Sequence, residues 1–491
     1  MKYFKTLILV LTLCFLTTSC FEDDDDVAIS TTDINDFVWK GMNSWYNWQT
    51  EVPDLSDSKD DNSSEYNSYL NQFTDSEDLF NSLKYETGNV DRFSWFVEDR
   101  IAQQQEFQGI SKSHGIRYGS VQINSNGDVI LYVRYVANNS PASNANIKRG
   151  DIINAINGTI LNSNNYNNVV KELLNETITL SFVSENGGIL TPIEDKMISA
   201  TVLSENPVYL MKVFNDIGGK KVGYLVYNAF RSSYNDELNA AFSFFKSENI
   251  NELILDLRIN GGGSVSTSAY LASMIYANAG LEKFADLKFN SKHNDEDGFY
   301  NFQNTLNVFD SNDIKTGEET INRLNTVNNL YVLTSNSTAS ASEMVINGLK
   351  PFIPVKVIGT TTFGKNVGSI TLYDSPLSDF RDRSSANPGH LKAMQPIVFQ
   401  IFNKNGESDY TQGFAPDIVV KESEFWNNIL PLGDDNEVVL KAALDDIRGF
   451  TTKTSTSKKA SSFMKKMDIS VLDNKFEKEM YISNDYFQQK E

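Results

Sequence analysis

Between residues 206 and 445, short apolar runs alternate with segments of helical period. That alternation limits the possible folds more than any other feature of the chain. Lys221 to Val226 reads as a strand, Asp236 to Ser247 as a helix and Leu253 to Leu257 as a buried strand. A glycine loop follows at Gly261–Gly263, then a helix from Ser266 to Ala277 and a strand at Leu330–Thr334. Ala341 to Leu349 is a helix stopped before Pro351, and Val355–Gly359 is again a strand. Helices between successive strands are the crossovers that parallel strands require. The segment therefore predicts an α/β core with a largely parallel sheet.

The regions before and after it differ. Ile34, Phe37, Val38, Met42 and Trp45 keep helical spacing, and further helical patterns run through Tyr69–Leu83 and Phe93–Gln105. Residues 30–105 are expected to form a small helical domain, with Trp39, Trp45, Trp48 and Trp95 as core aromatics. Residues 106–205 hold alternating runs at Gly119–Ile123, Val129–Val136 and Ile178–Val183, split by Asn/Gly turns, which predicts a β-rich module. Residues 446–491 read as a polar tail of weak helical pattern. The expected whole is a multidomain α/β chain.

The first 19 residues read as a signal peptide, with Lys2 and Lys5 before the apolar run Leu7–Leu16. Thr17-Thr18-Ser19-Cys20 resembles a bacterial lipobox, so Cys20 is the expected lipidation site. Residues 20–29, with Phe21-Glu22-Asp23-Asp24-Asp25-Asp26, read as an acidic tether. The expected location is the bacterial cell envelope, as an outer-membrane lipoprotein facing the periplasm or the surface. Cys14 and Cys20 are the two cysteines, so the processed chain offers neither a disulfide nor a thiol nucleophile. A net charge of −21 without a basic cluster argues against nucleic-acid binding. No His/carboxylate cluster has metal-ligand spacing, and neither a metal nor a cofactor is expected.

Ser340 stands between a predicted strand and a predicted helix, where helix-start N–H groups favour negative charge. A serine hydroxyl needs a base, and His114, His293 and His390 lie in no triad pattern. Lys365, 25 residues on in Thr-Phe-Gly-Lys, serves as that base if burial lowers its pKa. Phe363 and Ile358 are the apolar neighbours expected to line its pocket. The N–H of Ala341, with those of Gly261 and Gly262, would hold an oxyanion.

These motifs in this order resemble the C-terminal processing peptidases, also called tail-specific proteases. Asp256 to Gly263, Ser337 to Glu343, Thr362 to Lys365 and Gly413 to Ile418 carry the resemblance, over about residues 30–445. It implies a Ser340–Lys365 dyad in a peptidase core. Many members place a Gln four residues after the lysine; here Ser369 stands there as the lysine-orienting candidate. Asp256 and Arg258 are expected to be structural. Asn139 to Gly158, with its Pro-Ala, Gly-Asp-Ile-Ile and Ile-Asn-Gly steps, resembles the PDZ domain. That resemblance implies peptide binding by strand addition at the loop Gly115-Ile116-Arg117-Tyr118-Gly119, after His114.

The function expected is a serine endopeptidase of the envelope that takes polypeptides, docked through their ends, with a lipid anchor to the membrane. A non-catalytic peptide-binding lipoprotein is the alternative, and a glycan-binding surface lipoprotein with Trp platforms is a third.

Overall fold

The computed structural model describes residues 29–310, 312, 314–327, 329–450, 463–472, 475–483 and 485–488. The signal peptide, Cys20 and the acidic run through Asp26 lie outside the described residues. The described residues open with α1 (Thr31–Trp45), started by the Ser30 hydroxyl accepting from Asp33 N–H. Phe37, Val38, Met42 and Trp45 lie buried along one side of it. The helical run expected over Tyr69–Leu83 is two helices, α2 (Ser63–Leu70) and α3 (Ser76–Ser82). The break has a local cause: the Asp75 carboxylate accepts from Glu77 N–H and begins a new helix.

The helix expected over Phe93–Gln105 is also corrected. Trp95–Val97 is a strand paired antiparallel with Ala393–Gln395. Only beyond Asp99, which caps Ile101 and Ala102, does α4 (Arg100–Phe107) begin. A partner almost three hundred residues away outweighs the local helical period.

The β-rich stretch holds β1 (Ile116–Gln122), β2 (Val129–Val136), β3 (Ile152–Ile156), β4 (Thr177–Asn186) and β5 (Ile189–Ser199), paired antiparallel in that order. Two short helical pieces, Tyr166–Val169 and Val170–Leu174, close its apolar face.

Beyond it come β6 (Val208–Ile217), β7 (Lys220–Tyr227), α5 (Asn235–Ser247), β8 (Glu252–Asp256), β9 (Gly263–Ser264) and α6 (Val265–Ile275). Then follow β10 (Lys283–Phe289), β11 (Gly298–Asn301), β12 (Leu330–Thr334), α7 (Ala341–Leu349), β13 (Val355–Gly359), β14 (Val367–Ser369), β15 (Ile397–Asn403), β16 (Ile418–Val419) and α8 (Val438–Ile447). One sheet has the order β6-β7-β8-β12-β13-β16 and is parallel from β7 onward. Its central strands are buried on both faces, between α5, α6 and α7 on one side and α8 on the other. The parallel expectation holds for this sheet alone. A second sheet is mixed, with β15 antiparallel to both β10 and β14.

The tail, read from sequence as polar with a weak helical pattern, contributes strands to two sheets. β17 (Lys465–Lys466) joins β1, and β18 (Met480–Tyr481) lies between β9 and β14.

At the carboxyl end of β8 the Arg258 guanidinium meets Asp256 at 2.7 Å, Glu437 at 2.9 Å and Glu422 at 3.1 Å. Arg149 and Arg134, from the β-rich stretch, also bind Glu422. Burial opposes the charge on Glu422, but the three arginines outweigh it and hold the carboxyl below its usual range. Removing one member of such a buried cluster strands the others. Arg258→Ala is therefore expected to lower unfolding stability by about 3–5 kcal/mol, read as a fall in the urea midpoint. An unchanged midpoint would remove the structural role assigned to Arg258.

Candidate active site

Three loops converge on Ser340, and side chains lock their backbones together. Thr338 Oγ1 donates to Leu257 O at 2.7 Å and Ser335 Oγ to Arg258 O at 2.6 Å. Ala339 N–H and Ser342 Oγ both donate to Asn260 O. The turn between β12 and α7 is thereby fixed to the glycine loop after β8. Within it Ser340 takes φ 64° and ψ −118°, a left-handed conformation unusual for a residue with a Cβ. Such strain persists only where the surroundings over-determine it. The Ser340 hydroxyl is fully buried and, among the described residues, has no hydrogen-bond partner.

Glu343, one turn into α7, joins the third loop to this turn. Its Oε2 accepts from Ser340 N–H at 2.9 Å and from Lys365 N–H at 2.8 Å. Its Oε1 accepts from Gly364 N–H at 2.8 Å and Thr362 Oγ1 at 2.5 Å. Burial pushes this carboxyl upward, and the four donors work against that. One carboxylate oxygen thus holds the backbones of both dyad candidates. Gly364 takes φ +90°, and a Cβ there would meet Thr411 O at 2.2 Å, so the loop needs glycine at this point.

Lys365 is wholly buried. Its ammonium lies 4.9 Å from the centre of the Phe93 ring, and Phe93 packs edge-on against Phe363. Burial lowers the Lys365 pKa, and the neighbouring Glu479 carboxylate opposes that shift. Ile358, expected in the same pocket, instead packs in the cluster beneath α8. The amine donates to Lys478 O at 2.9 Å and to Glu479 Oε2 at 3.3 Å. Ser369 reaches the amine only through that carboxylate, donating to Glu479 Oε2 at 3.0 Å while accepting from Gln395 Nε2 at 2.9 Å. Trp95 Nε1 completes the ring of donors around Glu479 at 3.0 Å.

Ala341 opens α7 and carries one of the N–H groups that a helix start leaves without an intrahelical acceptor. Gly262 lies against the same turn: a Cβ on it would meet Ser340 Cβ at 2.7 Å and Ala341 N at 3.0 Å. Its own N–H, expected to face an oxyanion, donates instead to Asn260 Oδ1 at 2.9 Å. Gly263 N–H, unassigned from sequence, donates to Glu479 O at 2.6 Å, where β9 runs beside β18. At Gly261 a Cβ would fall 1.5 Å from Glu477 O.

Gly115, Ile116, Arg117, Tyr118 and Gly119 form the turn into β1 and its first residues. Ligand clefts commonly measure about 300–1,000 Å³; a cavity of ≈ 760 Å³ here joins Ile116, Arg117 and Tyr118 to Gly261, Gly262 and Ser337. No histidine bonds the Ser340 hydroxyl: His114, on the wall of that cavity, meets Glu176 O, His293 stacks on Trp45 and His390 lies beside Asp374. Among the described residues no cluster of His, Cys, Asp or Glu could hold a metal.

Sequence reasoning missed Glu343, Glu479, Phe93 and Trp95 as parts of this site. For Glu343 a signal was present, since Ser340 and Glu343 have the spacing of a helix-start pair. Nothing in the polar tail pointed to Glu479.

Residues 221–420 match the family described as Peptidase family S41, and residues 33–95 match the Peptidase S41 N-terminal domain. Together the two matches span more than half of the 491 residues. The chain belongs to peptidase family S41. Phe93 and Trp95 both fall within the second match. A Probable CtpA-like serine protease of Staphylococcus aureus (strain N315) is 23% identical over 306 residues, covering 61% of this chain and 53% of the relative. Its counterpart in Staphylococcus saprophyticus is 24% identical over 308 residues, covering 61% and 54%. The chain thus spans about half the length of the curated relatives it matches. A crystal structure from Bacteroides fragilis NCTC 9343, assigned to the S41 proteases, superposes with a TM-score of 0.64 at 26% identity. It covers 84% of this chain and 97% of that one.

Glu343→Gln would set an amide NH₂ against buried N–H donors. An unsatisfied buried pair costs about 1–3 kcal/mol, and the urea midpoint is expected to fall accordingly. A midpoint equal to that of the unmutated protein would contradict the role of this carboxylate as the joint between the two loops.

Proposed function

We propose that this S41 chain is a serine endopeptidase working through a Ser340–Lys365 dyad. The observation that carries the reading is the Glu343 carboxylate, which holds the strained Ser340 turn beside the loop that bears a wholly buried amine. Ser340 Oγ attacks the peptide carbonyl carbon and passes its proton to Lys365 Nζ. The oxyanion formed is met by Ala341 N–H, joined by Gly263 N–H once Glu479 O gives it up. The tetrahedral species collapses as Lys365 returns the proton to the departing amine and the C–N bond breaks. Water then attacks the Ser340 ester, with Lys365 again taking and returning the proton, and the acid product leaves.

The base must be neutral to act. Burial destabilises the ammonium, so the Lys365 pKa lies below the ordinary lysine value of about 10.4. The acidic limb of kcat/KM should therefore rise through a pKa below that value and level off above it. Ser340→Ala and Lys365→Ala should each reduce hydrolysis of unfolded casein by at least about a thousandfold, and the double variant no further, since the pair acts as a unit. Retained turnover in either single variant would refute the dyad.

The antiparallel stretch around β1 to β5 is read as a PDZ-like module, with β1 as the strand that receives an extended peptide and Gly115–Gly119 as the loop at its end. The cavity linking that loop to Gly261 and Gly262 supports delivery of the bound chain to Ser340. Lipidation at Cys20 would place this chemistry at the bacterial envelope. The second reading is a peptide-binding lipoprotein without turnover. It is favoured by the direction of the Lys365 amine, which points at Lys478 O and Glu479 and has no hydrogen bond to Ser340. Peptide affinity with no hydrolysis at any pH would select it.

A further inference from the structure

The same C-terminal segment appears at both halves of the cleft. At the β-rich module, β17 adds antiparallel to the edge of β1, with Lys465 opposite Gln122 and Lys466 opposite Val121. Met467 N–H continues the ladder to Ser120 O at 3.0 Å. Met467, Ile469 and Leu472 then pack on the apolar cluster that includes Ile116, Tyr166, Val170 and Leu173. This is strand addition with side chains seated between β1 and a helical wall, the manner in which an extended peptide is recognised.

Closer to Ser340, Arg117 and Glu477 form an ion pair at 2.7 Å. Glu477 O passes so near Gly261 that no side chain would fit there. Glu479 O takes the Gly263 N–H, and β18 runs parallel between β9 and β14. Met480 is fully buried, Ile482 nearly so, and the Tyr481 ring stacks on Phe107 at 4.2 Å. The Lys365 amine is held by this segment through Lys478 O and Glu479 Oε2.

We propose that the stretches 465–472 and 477–482 are an intramolecular ligand for the chain's own peptide groove and catalytic cleft, so that the protein rests in a self-occupied state. The docking rests on geometry; its consequence for turnover rests on the peptidase reading above. Two effects block the reaction. The segment lies where a substrate strand would pair, and the Glu479 carboxylate stabilises the ammonium of Lys365, the protonation state that cannot take a proton from Ser340. The partner that displaces it is an extended polypeptide with apolar residues at alternate positions, as Met467 and Ile469 are placed, because only every second side chain of a strand faces the groove.

The test uses the full chain carrying Ile469→Asp and Leu472→Asp, which weakens the groove contact and leaves the groove and the dyad intact. A fluorescein-labelled synthetic peptide of sequence 463–482 is titrated into this variant and the unmutated chain, each in a Ser340→Ala background. Casein hydrolysis is measured with Ser340 restored. The labelled peptide is expected to bind the variant about tenfold more tightly, and hydrolysis to rise about tenfold, because a competing internal ligand lowers apparent affinity by its occupancy. Tighter peptide binding with no hydrolysis in any form would uphold the docking and defeat the dyad. Hydrolysis that proceeds equally in both forms, with equal peptide binding, would overturn the internal ligand and leave the dyad standing. Amide exchange in the Ser340→Ala chain needs no change to the tail: protection at Met467, whose N–H bonds Ser120 O, should be lost on adding excess casein. Absence of protection before casein is added would overturn the proposal even if the Asp variant fails to fold.

Discussion

The site depends on one carboxylate. Glu343 is buried inside α7 and accepts from the backbone of Ser340 on one side and of Gly364 and Lys365 on the other. Without it, two loops that are 25 residues apart in sequence have no shared acceptor. The strained backbone at Ser340 then keeps the bonds of Thr338, Ala339 and Ser342 to the glycine loop but loses an acceptor it shares with the Lys365 loop. A charge in such a place is tolerable because hydrogen bonds to the ionised form compensate for its desolvation.

Around that joint two opposing electrostatic effects set the state of Lys365. Burial favours the neutral amine, and the Glu479 carboxylate favours the ammonium. Ser369, Gln395 and Trp95 do not touch the amine; they orient the carboxylate that does. A neutral side chain at position 369 would only aim the lysine, whereas the carboxylate borrowed from the tail also charges it. Which effect governs therefore depends on whether the tail is in place.

Much of the core was legible because period and burial coincide. The Leu253–Leu257 run, the glycine loop and the Ala341–Leu349 helix are local patterns, and the parallel sheet follows from the helices that separate its strands. The errors arose where a distant segment outweighs local preference. Trp95–Val97 is a strand only because Ala393–Gln395 pairs with it. The tail carries weak periodicity of its own, and its order comes from sheets built elsewhere, so no reading of residues 446–491 alone could place Glu479. At the site, Ser340 and Lys365 were singled out from motif order. The donor assignment at Gly262 failed because an Asn side chain two residues earlier takes that N–H. Glu343 was visible in its motif but had no assigned task until the third loop came into view.

The central claim is that a buried amine activates the hydroxyl of residue 340 within the frame set by Glu343. The most direct measurement is the rate at which a fluorophosphonate probe acylates or phosphonylates that hydroxyl, followed by intact mass across pH 5 to about 11, a range that brackets the lysine titration. Labelling of Ser340 should rise with pH through a single pKa below that of a free lysine and be lost in Lys365→Ala. Labelling that proceeds at the same rate without Lys365, or that ignores pH, would contradict the account.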